Sequence, residues 1–212
     1  MSNWDWVTIS ALATAAGTLV LAMATFASVR SANRAARVAE RALLVGLRPL
    51  LVNSRPDDPD LKVGFVDGRW FKVTGGMAVA EATDEAVYLA MSLRNVGSGM
   101  AVLDGWRLTT TGLERTPVQP DPAEFNRLSR DLYVPVGDVD FWQGSFRDPT
   151  SDAFKEAFDA VAERRYLVID LLYGDHEGGQ RVISRYGWTH RADGVYVVSA
   201  ARHWHLDHPE PR

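Results

Sequence analysis

Cysteine is absent from the 212 residues, which excludes disulfides, thiolate-held zinc, iron–sulfur clusters and thiol catalysis. Lysine is scarce: of 23 basic residues only Lys62, Lys72 and Lys155 are lysine, and the rest are arginine. Set beside the abundant Ala and Val, this is the residue usage of a GC-rich coding sequence, so the number of arginines does not by itself mark an anion-binding protein. The motifs of the well-signposted enzymes are missing as well. There is no G-x-S-x-G elbow, no H-E-x-x-H, no Walker loop and no dinucleotide fingerprint, and no cofactor is expected. The net charge of -4 divides into +2 over residues 1–47 and -6 over the remainder. An acidic globular part lacks the clustered positive charge that phosphate backbones require, which argues against nucleic acid as a partner.

Charge of either sign is also missing over the 24 positions from Trp6 to Val29. At 1.5 Å per residue such a helix spans about 36 Å, enough for a tilted bilayer crossing. Trp4 and Trp6 stand at its start, and Arg30 closes it. A cleaved secretory signal would want a basic start and a shorter apolar core, whereas MSNWDW offers only Asp5, so residues 1–29 read as a transmembrane anchor. Four arginines follow the span within a few residues and none precedes it. The positive-inside tendency then puts the N-terminus outside and the rest in the cytoplasm, on a single-pass protein of the plasma (inner) membrane.

Residues 30–47 continue with helix formers. Arg30, Arg34, Arg37 and Arg41 recur at helical spacing and share one face, and Ala35, Val38, Ala42 and Val45 make a second stripe with the same period. That face can lie along anionic lipid, or the segment can be a solvated stalk that pairs with its copy. Ala13 and Gly17 would likewise permit close helix pairing, so a homodimer through anchor or stalk is one expectation.

From residue 48 the period changes. Val87, Leu89, Met91 and Leu93 alternate with Tyr88, Ala90, Ser92 and Arg94, a strand with one apolar face. Similar short runs follow one another, separated by Asp67-Gly68, Gly75-Gly76, Gly174 to Gly179 and Arg191 to Gly194, which suit hairpin turns. About nine strands with hairpin connections make an antiparallel β-sandwich or distorted barrel over 48–212, a mainly β fold. One amphipathic helix interrupts it, capped by Thr150 or Ser151 and striped by Phe154, Ala157, Phe158 and Val161. The Pro-rich stretch 116–131 reads as a long loop.

Within LRNVGSGMA, Gly97-Ser98-Gly99 lies between two strands. Backbone geometry and close packing explain the glycines. The competing reading is a nest of N–H groups around a phosphate, but no strand-to-helix junction or lysine accompanies it. This stretch, after a membrane helix and an RPLL junction, resembles the N-x-G-x-G-x-A turn of uncharacterised bacterial membrane-anchored β-sandwich proteins of actinobacterial type. The resemblance implies an architecture and carries over no catalytic residue.

Two sets of side chains could bear chemistry. If the last three strands pair in simple hairpin register, Asp175, His176 and Glu177 fall near His203, His205, Asp207 and His208, residue types that hold a divalent ion. Hairpin-tip chemistry and a solvated chain end explain the same residues without a metal. Around FWQGSFRD, Asp138, Asp140 and Asp148 with Trp142 could line a ligand or peptide groove, although Trp142 and Phe146 also suit a core. The expectation is a membrane-tethered interaction or ligand-binding module with a protein or peptide partner. The alternative is a metal-dependent hydrolase built on the His/Asp/Glu set.

Overall fold

The computed structural model describes residues 4–110, 118–191 and 194–207, which form two compact units, residues 1–45 and 46–212. The first unit is one helix, α1 (Trp4–Gly46), 43 residues without a break, so anchor and stalk are a single element. Its Trp6–Glu40 stretch is long and apolar enough to cross a bilayer. The hydroxyls of Ser10, Thr14, Thr18 and Thr25 donate to carbonyls three or four residues back, so these four are satisfied within the helix. Hydrocarbon would require this. Arg30, Arg34 and Arg37 are exposed along it, and the Arg41 side chain lies outside what is described.

The second unit is mainly β. In chain order its elements are β1 (Leu51–Asn53), β2 (Leu61–Gly64), β3 (Trp70–Val73), β4 (Met77–Ala82), β5 (Val87–Asn95), β6 (Ala101–Thr109), β7 (Asn126–Val134), β8 (Val139–Phe146), α2 (Asp152–Ala162), β9 (Leu167–Gly174), β10 (Val182–His190) and β11 (Tyr196–His205). Nine strands form one antiparallel sheet that curls into a half-barrel. The path runs β8, β5, β4, β11, β10, β9, β6, β7, and β1 pairs with the end of β5 that β4 leaves free. β2 and β3 form a separate hairpin.

Alternation along β5 places Val87, Leu89, Met91 and Leu93 in the barrel core with Trp142, Trp188, Tyr173 and Tyr186. The opposite face is not solvated: Tyr88 and Ala90 pack with Val63, Phe65 and Val73 of the outer hairpin and its turn, forming a second core. β5 is thus buried on both faces, the environment of a central strand. Ser151 caps α2 by accepting from the Phe154 N–H, and Phe154, Ala157, Ala160 and Val161 close on the barrel core, with Phe158 partly buried.

Residues 116–131, read from sequence as a loop, contain the start of β7 from Asn126 onward. Leu103 faces Leu132 and Gly105 faces Arg127, so that four residues of β7 bulge opposite Asp104 alone. Leu128, Leu132 and Val134 keep one parity, but Arg130 interrupts them, so no unbroken apolar alternation marks this strand.

The turn at Gly97-Ser98-Gly99 is structural. Ser98 and Gly99 N–H donate to the Arg48 carbonyl (2.9 and 3.2 Å) and Gly97 N–H to Asn95 Oδ1 (2.9 Å), so no donor of the three is left for an anion. The RPLL segment and the glycine turn, quoted together above, lie against each other.

Candidate functional site

β7 and β8 are consecutive, and a tight turn over Pro135–Asp138 sends them in opposite directions, as in a hairpin. They do not zip together. Among the described residues β7 bonds only to β6 and β8 only to β5, which makes them the two free edges of the half-barrel.

Asn95 holds the turn end shut. Its Nδ2 donates to the carbonyls of Gly99 (2.8 Å) and Val134 (2.9 Å), its Oδ1 accepts from the N–H groups of Leu50 and Gly97, and its own N–H donates to Asp138 O at 3.1 Å. Further along, Arg130 Nη2 donates across to Gln143 Oε1 at 3.1 Å, and its guanidinium lies over the Phe141 ring. Beyond this bridge the strands part and leave a groove of about 430 Å³. The bulge in β7 accounts for the divergence, because an extra stretch on one strand bends it away from its neighbour.

Trp106 of β6 and Phe146 of β8 line the groove, their rings 5.1 Å apart, with Trp106 almost wholly buried. Trp142 lies beneath, 5.3 Å from Trp106. Gly144 permits this: a Cβ there would stand 2.7 Å from the Trp142 ring and 2.9 Å from the Trp106 ring. Arg127 and Arg147 complete the lining, and no acidic side chain contributes to it. Arg147 pairs with Asp67 at 3.0 Å. The Tyr88 hydroxyl, donating to the same carboxylate, is the larger reason that Asp67 is held down to about 2. Arg127 is exposed and has no acidic partner among the described residues.

The backbone of β8 faces the groove in a defined phase. Antiparallel pairs alternate between bonded and non-bonded, and Asn95 N–H donating to Asp138 O sets the even-numbered residues of β8 as those that bond to β5. Phe141 N–H agrees, since it turns away from β5 and donates to the Asp140 carboxylate at 2.8 Å. Gln143 and Ser145 therefore direct their N–H and C=O groups into the seam.

The residues singled out around FWQGSFRD do not gather into one site. Trp142 is in the core. Asp138 is exposed on the turn. Asp140 is partly buried, and that burial pushes its carboxyl up against the pull of the Phe141 bond. Asp148 binds the hydroxyl and N–H of Thr150 ahead of α2, the hydroxyl contributing most to holding it down. The groove is instead built by the next residues, Gln143 to Arg147, and by β7.

The His/Asp/Glu set is also spread out. β9, β10 and β11 pair as expected, with Ser184 opposite His203 and Val182 opposite His205. His203 and His205 share a face while Trp204 is buried on the other. Asp175 is buried and accepts from the N–H groups of Glu177 and Gly179, so it organises the turn that leaves His176 and Glu177 exposed. Asp207 pairs with Arg181 at 2.7 Å. His203 Nδ1 lies 2.6 Å from Ser184 Oγ, which lies 2.7 Å from the Tyr173 hydroxyl that accepts from Leu51 N–H. Burial above all lowers the His203 imidazole and pushes Tyr173 up to about 12. This chain knits β1 to β11 inside the fold. His208 lies outside the described residues, and among those described no group of three or more metal-ligating side chains converges.

No family model, no curated protein and no solved structure matches the chain. The reading of the site rests on its own geometry.

Proposed function

We propose that the protein is a membrane-tethered interaction module whose half-barrel binds a polypeptide ligand in the seam between β7 and β8. The observation that carries this reading is a pair of adjacent free strand edges opening on an aromatic-lined groove of about 430 Å³. Soluble domains ordinarily blunt or cover such edges, because an unpaired row of N–H and C=O groups is a template for another strand. Here α1 is the single-pass anchor, with the N-terminus outside, and the arginines that follow the span hold the half-barrel on the cytoplasmic side. Arg30, Arg34, Arg37 and Arg41 lie along anionic headgroups.

Selection of random peptides on the full chain in lipid nanodiscs tests the binding role. The expected result is a set of peptides that lose binding to Ser145→Trp, which fills the seam from its outward-facing edge. Failure to enrich any peptide, or undiminished binding to that variant, removes the support.

A further inference from the structure

Resting on that reading, we infer that the seam accepts an acidic, extended segment of a partner protein, which adds as a strand to the free edge of β8. Three observations converge. The outward phase of Gln143 and Ser145 offers a ladder that only another extended backbone can complete, since side chains or headgroups satisfy single groups and not an alternating row. Trp106 and Phe146 offer apolar contact to every second residue of such a strand. Around them stand Arg127, with no acidic partner among the described residues, and Arg147, whose Nη1 pairs with Asp67 outside the lining. This basic spot sits on a domain whose remaining charge is net negative, so an acidic side chain is favoured there and a long polyanion is repelled elsewhere.

The seam also sets the limits of the added strand. The Arg130–Gln143 bridge and the Asn95 clamp close one end, so the ligand enters from the end where Asn126 and Arg147 diverge. Arg127 then meets a carboxylate as an exposed guanidinium that can bind it in bidentate fashion. Polypeptide is favoured over a membrane surface because two arginines beside a recessed edge make a short charge-matched track, not a broad basic face.

Fluorescence anisotropy with the full chain in nanodiscs of uncharged lipid gives the test. The probe is a labelled peptide alternating aspartate with valine, compared with a lysine-for-aspartate version and with the acidic peptide N-methylated on alternate amides. The acidic peptide is expected to bind, both others to bind at least about tenfold more weakly, and Arg127→Glu to cost about tenfold. Ser145→Pro removes the outward N–H and should abolish binding. If Ser145→Pro unfolds early, the N-methylated peptide decides the backbone part alone. Equal binding of the lysine peptide overturns the acidic assignment, and equal binding of the N-methylated peptide overturns strand addition. Both results leave the interaction module standing if selected peptides still lose binding to Ser145→Trp. No binding of the acidic peptide overturns the inference outright.

Discussion

At Gly99 an added Cβ would lie 1.8 Å from the Leu47 carbonyl oxygen, and at Gly97 it would lie 2.4 Å from Leu50 N. Both contacts are with backbone, which cannot rotate aside. Neither glycine has a positive φ, so the requirement is for space and not for left-handed conformation. Gly99→Ala should therefore lower stability by about 1–3 kcal/mol or more, the range for forced overpacking. Ser98→Ala keeps the N–H that donates to Arg48 O and forces no atom against the 47–50 backbone, so it should cost less than Gly99→Ala. Thermal unfolding of the two variants checks the pair. An unchanged melting temperature for Gly99→Ala would mean that the 47–50 segment is free to move off the turn, and the clamp at Asn95 would then lose its meaning.

The strands of the outer barrel face are tied by a row of charges in register. Arg107 of β6 and Arg185 of β10 both face Asp170 of β9, at 3.2 and 2.7 Å, and the Asp170 side chain is fully buried. Glu124 meets the outer side of Arg107, and Trp204 stacks beneath Arg185. Removing one partner of a buried pair leaves uncompensated charge, so Asp170→Asn should cost about 3–5 kcal/mol. For a domain of this size that lowers the melting temperature on the order of 10 °C. Glu124→Gln, at the exposed end, should cost under about 1 kcal/mol. Equal losses in the two variants would show that the row is not graded by burial. This row was invisible in the sequence because its members lie on three strands and meet only through register. By contrast the apolar alternation of β5 and the capped stripe of α2 were legible, each being set by neighbours within a few residues. β7 was not, since Arg130 breaks its apolar parity and prolines precede it, and with it went the seam. The aspartates around FWQGSFRD do not line the groove, which is formed by the backbone phase of Gln143 and Ser145 and by Arg127 across the gap.

For the molecule as a whole, function depends on which side of the bilayer the seam faces. α1 runs for roughly 65 Å at 1.5 Å per residue, about twice the hydrocarbon thickness, so it is long enough to cross a bilayer and still carry Arg30, Arg34 and Arg37 beyond it. The proposed orientation rests on these arginines together with Arg41, because basic residues flanking a short span tend to be retained on the cytoplasmic side. A reporter fused after Arg212 should accordingly be fluorescent as a cytoplasmic protein and inactive as alkaline phosphatase, and the chain should stay in the membrane fraction at full length. Exchanging the four arginines for glutamine while adding arginines ahead of Trp4 should reverse both reporters. Phosphatase activity in the unmodified chain would place the seam outside, where its acidic partner would have to be secreted or membrane-bound. Cleavage near residue 30 would instead mark the apolar stretch as a signal sequence, freeing the half-barrel from the bilayer and removing tethering from its function.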